Sequence, residues 1–258
     1  MDIGTISYPA AVAGGAVIGL LLSVFGGGGS VLATPLLLYV VGVRDPHVAI
    51  GTSAAAVAVN AAVGLLVQAR AGRVKWPCAL VFGGAGLSGS LIGAHIAKQV
   101  DGSQLIVWFA LAMALVGGSM LLPRKVDGDS TVRLTGALTL KLAPAGAITG
   151  LAAGFFGIGG GFLIVPGLMA ATGMTLANAA ASSLVSVALF GAATSASYAV
   201  SGLVNWPVFA AVVGGGAIGS VIAIPVGRLL ADRARIARTI FALMVLATAG
   251  YVAWRALS

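Results

Sequence analysis

Two glycine-rich stretches are the places where this chain could bind a ligand through its backbone. Phe25–Pro35 and Phe156–Pro166 align in register, with the Phe, three glycines and the Pro matched. Glycine destabilises a helix by about 1 kcal/mol relative to alanine, so each stretch predicts a break followed by a new helix. The free N–H groups that begin that helix favour an anion, which glycine allows to approach closely. The candidate donors are Gly27, Gly28, Gly29 and Ser30 in the first stretch and Gly159, Gly160 and Gly161 in the second.

Two pairs of hydroxyl side chains occupy matching places early in the third predicted segment of each half. They are Thr52-Ser53 and Ser182-Ser183. These neutral groups could complete the coordination of an oxyanion by donating hydrogen bonds. Alternatively, each hydroxyl bonds to a carbonyl of its own helix. The sequence leaves both interpretations open.

Three further polar residues are candidates for a role in entry or coupling. Arg44 follows the first short helix directly and could attract anions at the external mouth, although an interfacial anchor is the simpler interpretation. His95 lies near the end of a predicted span, where a lone histidine is more often solvated or capping than a proton relay. Asn60 follows Thr52 by about two helical turns, and a structural role is favoured for it.

The composition excludes an ordinary soluble domain. The mean hydropathy is +1.09, and 8% of the residues are charged, whereas a soluble chain carries about a quarter. The charges form short clusters separated by apolar runs of about 20 residues or more, which is the length needed to cross the hydrocarbon core. The chain is therefore predicted to be an all-α polytopic membrane protein.

The distribution of charged and metal-binding residues argues against several classes of function. The net charge of +8 does not predict a nucleic-acid partner, because most of the basic residues lie in three short connections, as in cytoplasmic loops. Glutamate is absent and every Asp lies in or beside a connection, so no span offers a carboxylate for proton coupling. Two separated His and the single Cys78 predict no metal site, cofactor or enzyme active site. The clustered basic residues are Arg70, Arg73, Lys75, Arg124, Lys125, Arg133, Lys141, Arg228, Arg233, Arg235 and Arg238.

The glycine stretches belong to a duplication that runs through the chain. Gly72–Pro77 and Gly202–Pro207 both read Gly-x-Val-x-Trp-Pro at equivalent places. The first repeat is predicted to span 1–122 and the second 141–258, with a polar cytoplasmic linker at 123–140. Each repeat divides into five predicted helical segments. These are 8–25, 31–43, 46–70, 76–98 and 104–122, then 141–156, 162–173, 176–200, 206–227 and 235–254.

The short segments predict the topology. Segments 31–43, 141–156 and 162–173 are too short to cross comfortably. The first two segments of each half are therefore predicted to form a re-entrant hairpin, the alternative being that each crosses with tilt. In either arrangement the first two segments add an even number of crossings to the three long helices, so each repeat crosses the membrane an odd number of times. The second repeat is therefore predicted to be inverted, with both termini outside the cytoplasm.

The N-terminus carries Asp2 where a signal peptide would have basic residues. Segment 8–25 is therefore predicted to be a membrane helix rather than a cleaved signal.

With these turns, hydroxyl pairs and Trp-Pro elements, the chain resembles the sulfite exporter TauE/SafE family over nearly its whole length. The resemblance implies movement of a small sulfur-containing anion, such as sulfite or an organosulfonate, across the prokaryotic plasma (inner) membrane and in the outward direction. The first turn departs slightly from the second, since Gly27 stands where the second has Ile158. The two halves are therefore expected to contribute unequally.

The leading hypothesis is a secondary transporter that binds a small oxyanion near the midplane, between the glycine turns and the paired hydroxyls. One alternative is a channel-like uniporter driven by the inside-negative potential, worth about 2.3 kcal/mol per charge per 100 mV. Another is a non-transporting assembly subunit. The expected partners are the small anion and membrane lipid, with a homodimer as one possible assembly.

Overall fold

The computed structural model describes residues 6–121, 128, 129, 132, 134–156, 161–231 and 234–257. Within these residues the chain is helical apart from its connections and one β-bridge between Asp129 and Met174. The predicted all-helical class is confirmed. The α-helices are α1 (Tyr8–Phe25), α2 (Ala33–Leu36), α3 (Pro46–Arg70), α4 (Trp76–Ala97), α5 (Gly102–Leu121), α6 (Gly136–Phe156), α7 (Gly161–Thr172), α8 (Leu176–Val200), α9 (Trp206–Ala231) and α10 (Ala234–Leu257).

Six of the described helices are long and apolar enough to cross a membrane by length and composition. They are α1, α3, α4, α6, α8 and the part of α9 over Trp206–Ala223. Some predicted features lie outside the described residues. These are Gly159 and Gly160, the linker positions 122–127, 130, 131 and 133, and the side chains of Arg228, Arg233, Arg235 and Arg238.

Local signals set the starts of the long helices. Asp45 caps α3 by accepting the N–H of His47 at 2.8 Å, and Pro46 occupies the first turn, where a missing N–H costs nothing. Pro77 and Pro207 have the same place in α4 and α9, each directly after the Trp that begins the helix. The two Gly-x-Val-x-Trp-Pro elements are therefore helix starts.

The prediction of a short segment at 141–156 is wrong. α6 begins at Gly136 and contains 21 residues, so it extends about 30 Å at about 1.5 Å per residue, enough to cross a bilayer. Thr135 explains the earlier start, because its Oγ1 accepts the N–H of Leu138 at 3.3 Å and so caps the first turn. The following helix, α7, has 12 residues and is as short as predicted.

The first half begins with a hairpin. α1 ends at Phe25, and Gly26 has a φ of +65°, a conformation that only glycine adopts readily. The chain continues as a 3₁₀-helix (Gly26–Leu32), α2 and a π-helical turn (Leu37–Val41). The N–H of Ser7 donates to the Val41 carbonyl at 3.1 Å. The end of the returning segment therefore lies beside the start of α1.

The first helix of the first half packs on the fourth helix of the second. A Cβ at Gly215 would overlap the carbonyl of Val12, and one at Gly219 would overlap the carbonyl of Ala16. The contact moves forward by four residues in α1 and by four residues in α9, so the two helices run in the same direction. Small residues allow this close approach of two backbones, as they commonly do in membranes.

The first helix of the second half, α6, packs in the same way on the fourth helix of the first half, α4. In α6, Gly146 faces the carbonyl of Phe82 and Gly154 faces the carbonyl of Ser90, so α4 and α6 also run in the same direction. Each half therefore contributes its first helix to the other half's fourth helix. This exchange requires both halves to fold together.

The third helices of the two halves, α3 and α8, pack against each other in opposite directions. Gly51 near the start of α3 faces Tyr198 near the end of α8, whereas Gly64 near the end of α3 faces Leu184 near the start of α8. Much of both helices is buried, including the hydroxyl pairs. The α3–α8 pair therefore forms the centre of the protein.

The fifth helices, α5 and α10, form an outer pair beside the glycine turns. Phe109 and Met113 of α5 pack with Val245 and Ala249 of α10 in one buried apolar cluster. Val31 of the 3₁₀-helix belongs to the same cluster. The outer pair thus covers one side of the first turn.

Two adjacent glycines of α9 provide a test of the close packing. Gly215→Ala places a methyl group on the carbonyl of Val12, whereas Gly214 has no described heavy atom within 4 Å of an added Cβ. We expect Gly215→Ala to lower the stability by about 1–3 kcal/mol through overpacking, seen as a fall in the Tm of the detergent-solubilised protein. Gly214→Ala is the matched control and should leave the Tm equal or higher. Equal Tm values for the two variants would contradict this packing.

Candidate functional site

The first glycine turn meets the start of α7 inside the protein. A Cβ added at Gly161 would overlap the carbonyl group of Gly27, and a Cβ added at Gly27 would overlap the Cα of Gly161. Both glycines are buried. The 3₁₀-helix that follows α1 therefore rests directly on the first residue of α7. Any side chain at either position would separate these backbones.

A hydrogen bond fixes the first turn to the opposite half. The N–H of Gly27 donates to Ser183 Oγ at 3.0 Å, and the Ser183 hydroxyl donates to the Ala180 carbonyl of its own helix at 2.7 Å. The Ser30 hydroxyl donates to the carbonyl of Gly27 at 2.8 Å. Both polar backbone groups of Gly27 thus have a protein partner. Ser183 holds the turn in place.

The other glycines of the first turn lie between this contact and α1. A Cβ at Gly29 would overlap the backbone of Leu21 and Leu22, so this part of the 3₁₀-helix folds back tightly on α1. Gly28 lies between Gly27 and Gly29 in the same turn. Glycine is therefore required in the first turn for contact with both α7 and α1.

The Ser53 hydroxyl joins the returning segment to α3. It lies 2.8 Å from Thr34 Oγ1 and donates to the Ile50 carbonyl at 3.0 Å, which leaves Thr34 as the donor to Ser53. Ser53 and Ser183 therefore both bond to a carbonyl three residues back in their own helices, as one interpretation predicted. Each also accepts a hydrogen bond from a glycine-turn segment.

Thr52 and Ser182 make reciprocal hydrogen bonds between the two halves. Thr52 Oγ1 accepts the N–H of Asn205 at 2.8 Å, directly before α9, and Ser182 Oγ accepts the N–H of Lys75 at 2.9 Å, directly before α4. Both hydroxyl side chains are fully buried. The matching positions thus have a matching structural task, which is to hold the start of the other half's fourth helix.

Asn60 and Ser186 are among the buried polar side chains that have no hydrogen-bond partner among the described residues. Asn60 is 1% exposed, and neither its Oδ1 nor its Nδ2 is bonded; its amide lies against Gly216 of α9. Ser186 Oγ is likewise unpartnered and buried. A buried polar group left unpaired costs about 1–3 kcal/mol. Asn60 therefore lowers the stability of the folded protein, and an apolar residue would pack at this position without that cost.

Arg44 and His95 lie at helix ends. Both side chains are exposed. His95 Nε2 lies 3.1 Å from Nε2 of Gln99, one turn further along the chain. Arg44 directly precedes Asp45, the residue that caps α3. The structure therefore places these two residues at the surface.

Two polar contacts around the first turn were not predicted from the sequence. Thr34 bonds to Ser53, and Nε2–H of Gln68 donates to the Ser23 carbonyl in the last turn of α1 at 3.1 Å. A signal for the second contact was present, because Asn60, Gly64 and Gln68 follow at four-residue intervals and share one face of α3. That face lies against the end of α1 and against α9.

The family model described as sulfite exporter TauE/SafE matches residues 11–252. A Xylella fastidiosa protein named "Probable membrane transporter protein" is 43% identical over 249 residues, covering 95% of this chain and 94% of the relative. "Probable membrane transporter protein YunE" of Bacillus subtilis is 28% identical over 235 residues, covering 83% and 86%. No solved structure matches the chain. The family resemblance read from the motifs is confirmed.

The reciprocal hydroxyl bonds predict matched losses of stability. Thr52→Val removes the acceptor for Asn205 and Ser182→Ala removes the acceptor for Lys75, so each variant should be destabilised by about 1–2 kcal/mol. The measurement is the Tm of the detergent-solubilised protein. Ser88→Ala is the control, because this exposed hydroxyl bonds only to the Ala85 carbonyl of its own helix. A Tm that stays unchanged in both buried variants would refute the anchoring role.

Proposed function

Because the chain belongs to the sulfite exporter TauE/SafE family and is a multi-pass membrane transporter, we propose that it moves a small oxyanion across the plasma membrane of a prokaryote. The cargo belongs to the class of sulfite and organosulfonates, and net movement is outward. The anion binds where the two glycine turns meet. Transport is of the secondary type, without a cofactor.

The observation that carries this proposal is the backbone contact between Gly27 and Gly161. Irregular backbone at membrane depth is tolerated only where it is buried in protein or lines a wet cavity. One helical segment begins at Gly26 and another, α7, begins at Gly161, so two N-terminal ends with partial positive charge converge from opposite halves. Amide dipoles attract an anion, and the site needs no cationic side chain.

The hydroxyls near the turns complete the site. Ser30 and Ser183 now donate to backbone carbonyls, and a rotation about χ1 redirects each hydroxyl toward a bound oxygen. The Ser53 hydroxyl, which donates to the Ile50 carbonyl, can be redirected in the same way. The proposal also includes the N–H groups of Gly159 and Gly160. Thr52 and Ser182 support the site indirectly, because they fix the fourth helices.

The same proposal includes two inverted repeats in the membrane, each with a glycine-broken, re-entrant-like pair and three long helices. The support is directional: α3 and α8 run in opposite directions, and each half's first helix runs parallel to the other half's fourth helix. Together with the short turns between the third and fourth helices, at 71–75 and 201–205, these relations give α6, α8 and α9 the reverse direction of α1, α3 and α4, which supports the inversion. A site shared by inverted halves opens alternately to the two sides of the membrane.

Flux into reconstituted vesicles tests this function. We expect vesicles that carry the protein to take up sulfite or an organosulfonate faster than empty vesicles. Gly28→Leu and Gly160→Leu should each reduce this flux by more than about tenfold, because a side chain in the turn blocks access to the amides. Gly84→Leu is the control, since Gly84 is exposed and has no described heavy atom near an added Cβ.

Two outcomes would contradict the proposal. One is the absence of flux for sulfite, sulfoacetate, taurine and sulfate alike. The other is unimpaired flux in a Gly28→Leu or Gly160→Leu variant that inserts normally. The panel also identifies the cargo, because the four compounds differ in charge and in size.

A further inference from the structure

A cationic and aromatic cluster lies in the last turns of α10. Tyr251, Trp254 and Arg255 are three or four residues apart and therefore share one face of this helix. Arg255 Nε–H donates to the Tyr251 hydroxyl at 3.4 Å, and the guanidinium carbon lies 6.0 Å from the centre of the Tyr251 ring. The centre of the Trp254 side chain lies 6.3 Å from that of the same ring. Tyr251 thus orients the guanidinium at the protein surface.

Tyr39 of the first half belongs to the same cluster. Its ring stands edge-on to the Tyr251 ring, with the two ring centres 5.4 Å apart. Tyr39 lies in the π-helical turn that ends the returning segment of the first hairpin, and single π-helical turns are frequent at functional sites. The charge of Arg255 acts on the hydroxyl groups of both tyrosines. α10 and the first hairpin therefore bring polar groups to one place.

Most of the hydrogen-bond donors of Arg255 are unused. Within the part of the chain that the structure describes, the Tyr251 hydroxyl is the single hydrogen-bond partner of this side chain. A guanidinium has five N–H donors, so four are left for a ligand, and Tyr251 can still donate its own O–H. Arg255 is exposed and Tyr251 is 41% exposed. A ligand can therefore reach these groups from the surface.

The donors match a phosphate group that is attached to an apolar body. A guanidinium binds phosphate through parallel N–H bonds, and such charge-assisted bonds are about twice as strong as neutral ones. Apolar surface lies beside the donors, since Trp254 is 65% exposed and Val40, next to Tyr39, is 61% exposed. Trp and Tyr are enriched at the level of the lipid headgroups. A phospholipid would use both the cation and the apolar surface, whereas a free phosphate would use the cation alone.

The balance of charge at the cluster favours an anionic lipid. A zwitterionic headgroup carries an ammonium group beside its phosphate, and a carboxylate would be needed to pair with it. No carboxylate among the described residues interacts with Arg255. Asp45 and Asp101 instead accept hydrogen bonds at the starts of α3 and α5. The headgroup that fits therefore has a net negative charge, as in phosphatidylglycerol.

The cluster is present in one half of the duplication. The equivalent helix of the first half, α5, ends in the sequence Gly-Gly-Ser-Met-Leu over 117–121, without an aromatic or basic side chain. The short helix α7, which corresponds to the returning segment, contains no tyrosine. The lipid site therefore belongs to one face of the protein, where α10 and the first returning segment end.

We propose that Arg255, Tyr251 and Tyr39 bind the phosphate of an anionic phospholipid, with Trp254 and Val40 against its acyl chains. The bound headgroup joins α10 to the returning segment of the first hairpin, which the protein itself attaches to α1 and α3. This inference goes beyond the proposed function, because lipid binding at this place does not depend on the identity of the cargo.

Lipid-dependent stability of the purified protein tests the site without transport. The Tm is measured in an uncharged detergent with added phosphatidylglycerol, with phosphatidylcholine of the same acyl chains, or with inorganic phosphate. We expect phosphatidylglycerol alone to raise the Tm. Arg255→Gln should raise the phosphatidylglycerol concentration that gives a half-maximal shift by about tenfold, because the charge-assisted bonds are lost. Its Tm without lipid should equal that of the wild type, since Arg255 is exposed.

A matched control separates this site from a general effect of charge. Arg73→Gln removes an exposed arginine from the connection between α3 and α4, so it lowers the net charge equally and should leave the lipid effect unchanged. Tyr251→Phe keeps the ring, removes the hydroxyl and should weaken the lipid effect less than Arg255→Gln does. Equal lipid effects in the wild type and in Arg255→Gln would overturn the site. A rise of the same size with phosphatidylcholine or with inorganic phosphate would overturn the choice of an anionic lipid.

Anion flux separates this inference from the proposed function. No movement of any anion in the panel, together with a rise in Tm that requires phosphatidylglycerol and Arg255, would refute the function and leave the lipid site standing. Anion flux in vesicles, together with a Tm that phosphatidylglycerol does not change, would refute the lipid site and leave the transporter function standing.

Discussion

Contact between the backbones of Gly27 and Gly161 is the constraint on which the rest of this structure depends. α1 ends at Phe25 and α7 begins at Gly161, and the main chains of Gly27 and Gly161 touch each other in the interior. Irregular backbone at this place has polar groups that a bilayer cannot satisfy. Ser183 and Ser30 satisfy the N–H and the carbonyl of Gly27. The Ser183 and Ser30 hydroxyls thus supply the polar partners that the irregular backbone at Gly27 requires.

The exchange of helices between the halves explains how such a contact is held. α1 packs on α9 and α6 packs on α4, with glycines at both interfaces, so the helix that leads into each glycine stretch is held by a helix of the other half. Thr52 and Ser182 add hydrogen bonds across the same division. Neither half can build the contact alone. A change in the relative position of the halves therefore alters the surroundings of the turns, which is what alternating access requires.

Local features were predictable from the sequence, and contacts between distant residues were not. The break after Phe25 followed from glycine in two matched stretches, and the helix starts at Trp76 and Trp206 followed from the prolines behind them. The start of α6 was missed because its cap, Thr135, lies in a polar stretch that resembled a linker. The partners of Thr52 and Ser182 lie 153 and 107 residues away, so no local pattern could reveal them. Asn60 and Phe190 occupy equivalent positions in the two halves, and only the packing shows that Asn60 faces Gly216 and Phe190 faces Gly86.

The position of a bound anion is the most direct test of this account. Selenite can replace sulfite in crystals or membranes of the protein, since selenium scatters anomalously and marks its own position. We expect one dominant selenium peak within hydrogen-bonding distance of the amides of the two glycine turns, next to Gly27 and Gly161. A dominant peak at the basic connection around Arg73 and Lys75, with none between the turns, would contradict it.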